Sequence, residues 1–150
     1  MEFELRIASQ SDLGAVQDIV QDAYTPYISR IGQKPGPLLD DYQALIRVGR
    51  VTVIENDHAV QGALVLVPED GTMLLDNVAV APSAQGLGLG RRLMAHAEQR
   101  AREAGYPSIR LYTNEAMMKN IEYYTRIGYV ETHRAVDNGL KRVFMVKSLT

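Results

Sequence analysis

The run "AQGLGLGRRL", residues 84–93, places Gly86, Gly88 and Gly90 at alternate positions where a helix-like stretch begins. Glycine loses more backbone freedom on folding than any other residue, so three together ask for a purpose. One glycine would serve a tight strand-to-helix turn. Three in five residues let backbone N–H groups come close to a large anion at a helix start, where the amides and the helix dipole favour negative charge. Two phosphate motifs fit poorly. In the dinucleotide fingerprint G-x-G-x-x-G, Gly86-Leu87-Gly88 matches, but Arg91 stands at the third glycine and only about 60 residues follow. A P-loop is excluded because no Gly-Lys-Ser/Thr follows. Gln85-x-x-Gly88-x-Gly90, read as a pyrophosphate cradle, remains.

Other chemistries are bounded by composition. The chain has no cysteine, which removes disulfides, thiolate ligands and a cysteine nucleophile together. His58, His96 and His133 lie far apart without ligand spacing, so no metal site is expected. A formal charge of -2 argues against a broad electrostatic grip on nucleic acid. No apolar run approaches the roughly 18 residues of a membrane span. The start, "MEFELRIASQ", lacks a basic segment followed by an apolar one, so no signal peptide and a cytoplasmic location are expected.

The elements around the glycines follow from periodicity. Phe3, Leu5 and Ile7 alternate as in a half-buried strand, and Ser9 or Ser11 can cap a helix carrying Leu13, Val16, Ile19, Val20 and Ala23. "TPYISRIGQKPGP" reads as a loop, and Asp40-Asp41 can open a short helix through Ile46. Residues 50–68 form a hairpin turning at Asn56-Asp57, and Asp70-Gly71 turns into the apolar strand "TMLLDNVAVAP". A helix from about Leu89 to Ala104 buries Leu89, Leu93, Ala97, Ala101 and Ala104 and ends at Gly105. Strand "SIRLYTN", a helix over 115–126 and a hairpin through Asn138-Gly139 complete the chain. Residues 1–150 therefore read as one α/β domain with a mostly antiparallel sheet, whose parallel section surrounds the glycine loop.

The stretch "LLDNVAVAPSAQGLGLGRRLMAHAEQRAREAG", then "IRLYTNE", then "NIEYYTRIGY", resembles the GCN5-related N-acetyltransferase (GNAT) superfamily. Its coenzyme-A signature Q/R-x-x-G-x-G/A matches Gln85, Gly88 and Gly90, and the order of elements agrees from end to end. The resemblance implies a mixed central sheet of about seven strands flanked by about four helices, with a splayed parallel strand pair at the cofactor site. It implies acetyl-CoA as co-substrate. The pantetheine arm would pair with the backbone of Val78, Ala79 and Val80. The amides of Gly86, Leu87, Gly88, Leu89, Gly90 and Arg91 would wrap the pyrophosphate, with the Leu87 and Leu89 side chains turned away. Asn114 and Asn120 are further contacts.

For chemistry, the resemblance makes Tyr124, four residues before Gly128, the general acid for the leaving thiolate, on one helical face with Met117, Asn120 and Ile121. Adjacent Tyr123 leaves the helix about 100° away. Asp76 is the base candidate; its even spacing from Val78 and Val80 predicts one shared sheet face. Some peptide-acetylating relatives carry a glutamate where this chain has Tyr112, so their base does not carry over. Tyr24, Tyr27 and Arg30, with "GQKPGP", are expected to line the acceptor site. The expected activity is direct acetyl transfer to a primary amine of a small molecule, with a homodimer possible. An acyl-CoA sensor without turnover and a peptide N-acetyltransferase stand as alternatives.

Overall fold

Alternating apolar residues in seven segments pair into one sheet. In chain order these are β1 (Glu4–Ile7), β2 (Val51–Asn56), β3 (Ala59–Pro68), β4 (Met73–Val80), β5 (Ser108–Asn114), β6 (Val130–Asp137) and β7 (Leu140–Ser148). The computed structural model describes residues 2–57 and 59–150; His58, one of the three histidines considered above, lies outside them. The strand order is β1-β2-β3-β4-β5-β7-β6. Every neighbouring pair is antiparallel except β4 and β5. Their parallel pairing needs a crossover, which the helix α4 supplies.

The helices are α1 (Leu13–Tyr24), a single turn α2 (Ile28–Ile31), α3 (Tyr42–Arg47), α4 (Leu89–Glu103) and α5 (Met118–Arg126). They cover both faces and divide the core in two. Val16, Ile19 and Val20 of α1 and Tyr42 and Ile46 of α3 pack with Val51, Val53, Ala63, Val65 and Ala79 on one face. Leu89, Leu93, Ala97 and Ala101 of α4 pack with Leu64, Leu75, Ile109, Leu111 and Tyr129 on the other. Ala104 is exposed rather than part of this stripe, while Met94 and Glu98 are buried. Glu98 is tolerated there because Lys147 Nζ sits 2.8 Å from its carboxylate.

Three local readings change. The segment read as a loop after α1 is mostly helical turns, namely Thr25–Tyr27, α2 and Gly36–Leu39, broken where Gly32 takes φ 87°. Proline fixes a φ compatible with such turns, so proline punctuation here does not mean irregular chain. The helix expected over 115–126 begins only at Met118, because the Asn114 side chain accepts the N–H of Ala116 and holds a turn. Of the Asp40-Asp41 doublet only Asp41 caps α3, accepting the N–H of Ala44. The closing hairpin turns at Asn138 and Gly139 with φ of 52° and 79°, the left-handed pair a tight two-residue turn requires. β6 lies at the sheet edge and is exposed along its whole length. Among the described residues no helix is long and apolar enough to cross a membrane.

Candidate active site

β4 and β5 pair only at Met73↔Ile109, Leu74↔Arg110 and Leu75↔Leu111. Both strands run on, β4 to Val80 and β5 to Asn114, without pairing to each other. The cause sits on β4's other edge. Leu66 pairs Leu75 and Val65 pairs Asn77, so Asp76 is an extra residue, a bulge that bends its strand. The bulge also overturns the even-spacing argument. Leu75, Val78 and Val80 pack together beneath α4, three and two residues apart, while Asp76 turns the other way. There it accepts a hydrogen bond from the Tyr112 hydroxyl at 3.2 Å. Asp76 thus does not share a face with Val78 and Val80; one inserted residue reverses the parity.

At the open end of β4 the chain passes through a 3₁₀ turn, Pro82–Ala84, into the glycine loop. Gly86 and Gly88 have φ of 85° and 82°, which a side chain disfavours. Gly88 is the N-cap of α4, and no side chain caps this end. A Cβ at Gly86 or Gly88 would meet no protein atom within 4 Å; at Gly90 it would meet only Val80 Cγ2 at 4.0 Å. The loop therefore presents bare backbone at a 15-residue helix start, a surface that a side chain would fill and that suits an anion. Leu89 is buried and Leu87 is exposed. Gln85 and Arg91 are exposed beside it. Arg92 is engaged elsewhere, donating to the carbonyl of Phe3 at 3.1 Å.

Below the parting lies a narrow cleft. Its walls come from distant parts of the chain: Tyr24, the Pro35-Gly36-Pro37 turn, Leu75 to Asn77 of β4, Leu111 to Asn114 of β5, and Met117, the N-cap of α5, with Asn120 and Tyr124. Leu140 and Arg142 of β7 close it. Tyr24 donates from its hydroxyl to the carbonyl of Val78 at 3.2 Å, tying the end of α1 to β4 where the sheet opens. Tyr124 packs edge-on against Tyr129, ring centroids 6.0 Å apart. Burial, helped by the neighbouring phenols of Tyr123 and Tyr27, pushes the Tyr124 hydroxyl up to about 12, so it holds its proton across the physiological range.

The acidic side of the cleft has more parts than Asp76. Asp40 lies against it, and burial followed by the hydrogen bond and charge of Asp76 raises the Asp40 carboxyl to about 8, partly opposed by Arg142. Two carboxylates in contact cannot both ionise cheaply, so the pair holds one proton between them at neutral pH. Burial and the charge of Asp76 raise Tyr112 to about 12, which keeps it a donor toward Asp76. Tyr42 continues the network, donating to the carbonyl of Pro37 at 2.6 Å and accepting from Asn77 Nδ2 at 2.9 Å. The Arg142 guanidinium lies 4.5 Å from the centroid of the Tyr112 ring and contacts Asp137 at 2.7 Å.

Of the residues singled out from sequence, Tyr24, Asp76, Asn114, Asn120 and Tyr124 come together on this cleft. Tyr27 does not line it; its ring carries the exposed Arg30 guanidinium 5.5 Å above it. Asn114 is committed to the turn before α5, as described above. Asp40, Tyr42 and Arg142 were not anticipated. The Asp40-Asp41 doublet held one available signal, because a helix start needs one cap and leaves the other carboxylate spare. Arg142 had none, since basic residues on a terminal hairpin are ordinary surface. Among the described residues no group of acidic or histidine side chains is arranged to hold a metal.

Comparison with known proteins places this geometry. The family described as "Acetyltransferase (GNAT) family" matches residues 15–129. An amino-acid acetyltransferase of Ralstonia nicotianae is 28% identical over 138 residues, 89% of this chain and 27% of that protein. A mycothiol acetyltransferase of Thermomonospora curvata is 42% identical over 60 residues, 40% of this chain and 20% of that protein. The chain thus spans about a quarter or less of the length of these curated relatives. Among solved structures, the PaiA N-acetyltransferase of Thermoplasma acidophilum in complex with coenzyme A superposes with a TM-score of 0.82. That match is 16% identical and covers 99% of each chain.

Proposed function

Since the chain belongs to the GNAT family of acetyltransferases, we propose that it transfers an acetyl group from acetyl-CoA directly to a primary amine of a small molecule. One observation carries this reading. The same strand parting that opens β4 beside a bare, glycine-lined helix start also sets Asp76 and Tyr124 on the walls of one cleft. The loop amides over 86–91 would hold the pyrophosphate and the free edge of Val78–Val80 the pantetheine arm. Acetyl-CoA supplies an acetyl group activated as a thioester. The two relatives, an amino-acid and a mycothiol acetyltransferase, support a small acceptor.

The chain's own residues handle the protons. An amine attacks only when neutral, so a proton must leave the acceptor ammonium. The Asp76 carboxylate, held at Oδ1 by the Tyr112 hydroxyl, takes it. The proton held between Asp40 and Asp76 keeps the pair at a single negative charge, matched to one ammonium. Tyr124 Oη gives its proton to the leaving sulfur and regains one from the nitrogen as the amide forms. Coenzyme A leaves as the thiol, and the first ammonium proton goes to solvent. A phenol held near 12 needs no tuning to be in the donating form.

Release of free coenzyme A thiol from acetyl-CoA, assayed against polyamines, amino acids, aminoglycosides and peptides, tests the reading. Thiol release with a small amine supports it. Tight acetyl-CoA binding with no release for any amine would overturn it in favour of a binding module.

A further inference from the structure

Resting on the acetyl-transfer reading, we propose that the acceptor bears a carboxylate beside its amine, as an α-amino acid does, and that Arg142 selects it. The cleft holds two opposite charges separated by one aromatic ring. Tyr112 donates its hydroxyl to Asp76 at 3.2 Å, and the Arg142 guanidinium lies 4.5 Å from the centroid of the same ring. β7 fixes this placement, because Arg142 sits in register with Asn114, two residues beyond Tyr112 on β5. The Arg142 side chain is only 18% exposed, and it belongs to the cleft wall.

The guanidinium keeps capacity for a ligand. Its Nη1 donates to Asp137 Oδ2 at 2.7 Å, and Asp137 is 55% exposed, at the rim. Guanidinium has five donors in a planar fork that matches a carboxylate two at a time. Gly36 faces the other terminal nitrogen: a Cβ there would lie 3.5 Å from Nη2. A glycine between two prolines thus keeps a side chain away from that end of the fork, where a Cβ would stand in contact with it. An acceptor with an amine alone would leave the remaining donors of the guanidinium without a partner. An acceptor with both groups satisfies Asp76 and Arg142 at once, so the same charges that attract the zwitterion disfavour the simple amine.

The test uses thiol release with the common α-amino acids, each also as its carboxamide and as the amine left by decarboxylation. At least one free acid should exceed its carboxamide and its amine in kcat/KM by roughly 10- to 100-fold, the worth of a charge-assisted pair. Arg142→Gln should collapse that ratio through KM, and Arg142→Lys should restore part of it. Asp137→Asn separates recognition from a structural ion pair: it should keep or raise the ratio by freeing the guanidinium. Carboxamides or simple amines acetylated as well as the acids would overturn the inference and leave acetyl transfer standing. So would equal loss in Arg142→Gln and Asp137→Asn. No thiol release with any amine would instead overturn the acetyl-transfer reading, and this inference with it.

Discussion

The two ends of the parted strands are built on different principles. At the end proposed for the phosphates, the chain from Val78 to Arg91 offers backbone, with glycines at 86, 88 and 90 and no side chain capping α4. At the acceptor end, side chains from Tyr24, Asp76, Tyr112, Tyr124 and Arg142 meet across more than a hundred residues of sequence, with Asp40 set against Asp76. A backbone site needs only local conformation, so a short contiguous motif encodes it. A side-chain site needs the whole sheet in register before its parts are near one another. The first constrains composition; the second leaves room for different acceptors on the same frame.

The largest effect should come from filling the backbone end. Gly90 has no left-handed φ and a Cβ there would meet only Val80 Cγ2 at 4.0 Å, so Gly90→Val should fold normally by circular dichroism yet bind acetyl-CoA at least about 10²-fold more weakly by calorimetry, as steric blockade of a helix-start anion site implies. Gly88→Val should lose binding and some stability as well, because φ 82° strains any side chain. Unchanged affinity in folded Gly90→Val would break the comparison at its first term.

Next comes Tyr124, the proposed proton donor. Tyr124→Phe keeps the ring against Tyr129 and removes only the hydroxyl. Turnover should fall on the order of 10²-fold with acetyl-CoA affinity nearly unchanged. Tyr123→Phe should do far less, since its ring lies toward the Arg126 guanidinium, 5.9 Å from the centroid. Equal effects at both positions would mean that water protonates the sulfur. Asp76→Asn should also lower turnover, with recovery as pH rises and more acceptor arrives as neutral amine; a wild-type rate and pH profile would make Asp76 purely structural.

The sequence disclosed these two ends unequally. The glycine loop, α4 and the Asn138-Gly139 turn were legible because each follows from residue types within a few positions. The bulge at Asp76 was not. Nothing local marks an extra residue in "LLDNVAV", and only the pairing with Val65 and Leu66 on β3 reveals it. Parity therefore assigned Asp76 to the wrong face although the residue itself had been singled out. Asp40 was seen only as a helix opener, because its partner Asp76 is brought to it by tertiary folding.

A smaller, thermodynamic effect should distinguish Asp40 from an ordinary surface carboxylate. Its folded value near 8 lies above the ordinary 3.8, so the folded state binds the extra proton between those values. Its contribution to stability is full below about pH 4 and is lost as pH rises through about 8. Asp40→Asn removes that loss, so its melting temperature should rise relative to the parent across this window. A constant difference between the two proteins would show that Asp40 titrates normally. Asp12, held down to about 2 by its hydrogen bonds from Arg6, works in the opposite sense: its contribution is present above about 3.8 and fades as pH falls through about 2.

Backbone amide hydrogen exchange, followed with and without acetyl-CoA, tests the central claim most directly. If the parted strand and the glycine loop hold the cofactor, exchange should slow at Val78–Val80 and across residues 86–91. The exposed edge strand Val130–Asp137 should be unchanged. Protection confined to other segments, or none at β4 and the loop while acetyl-CoA is bound, would contradict it.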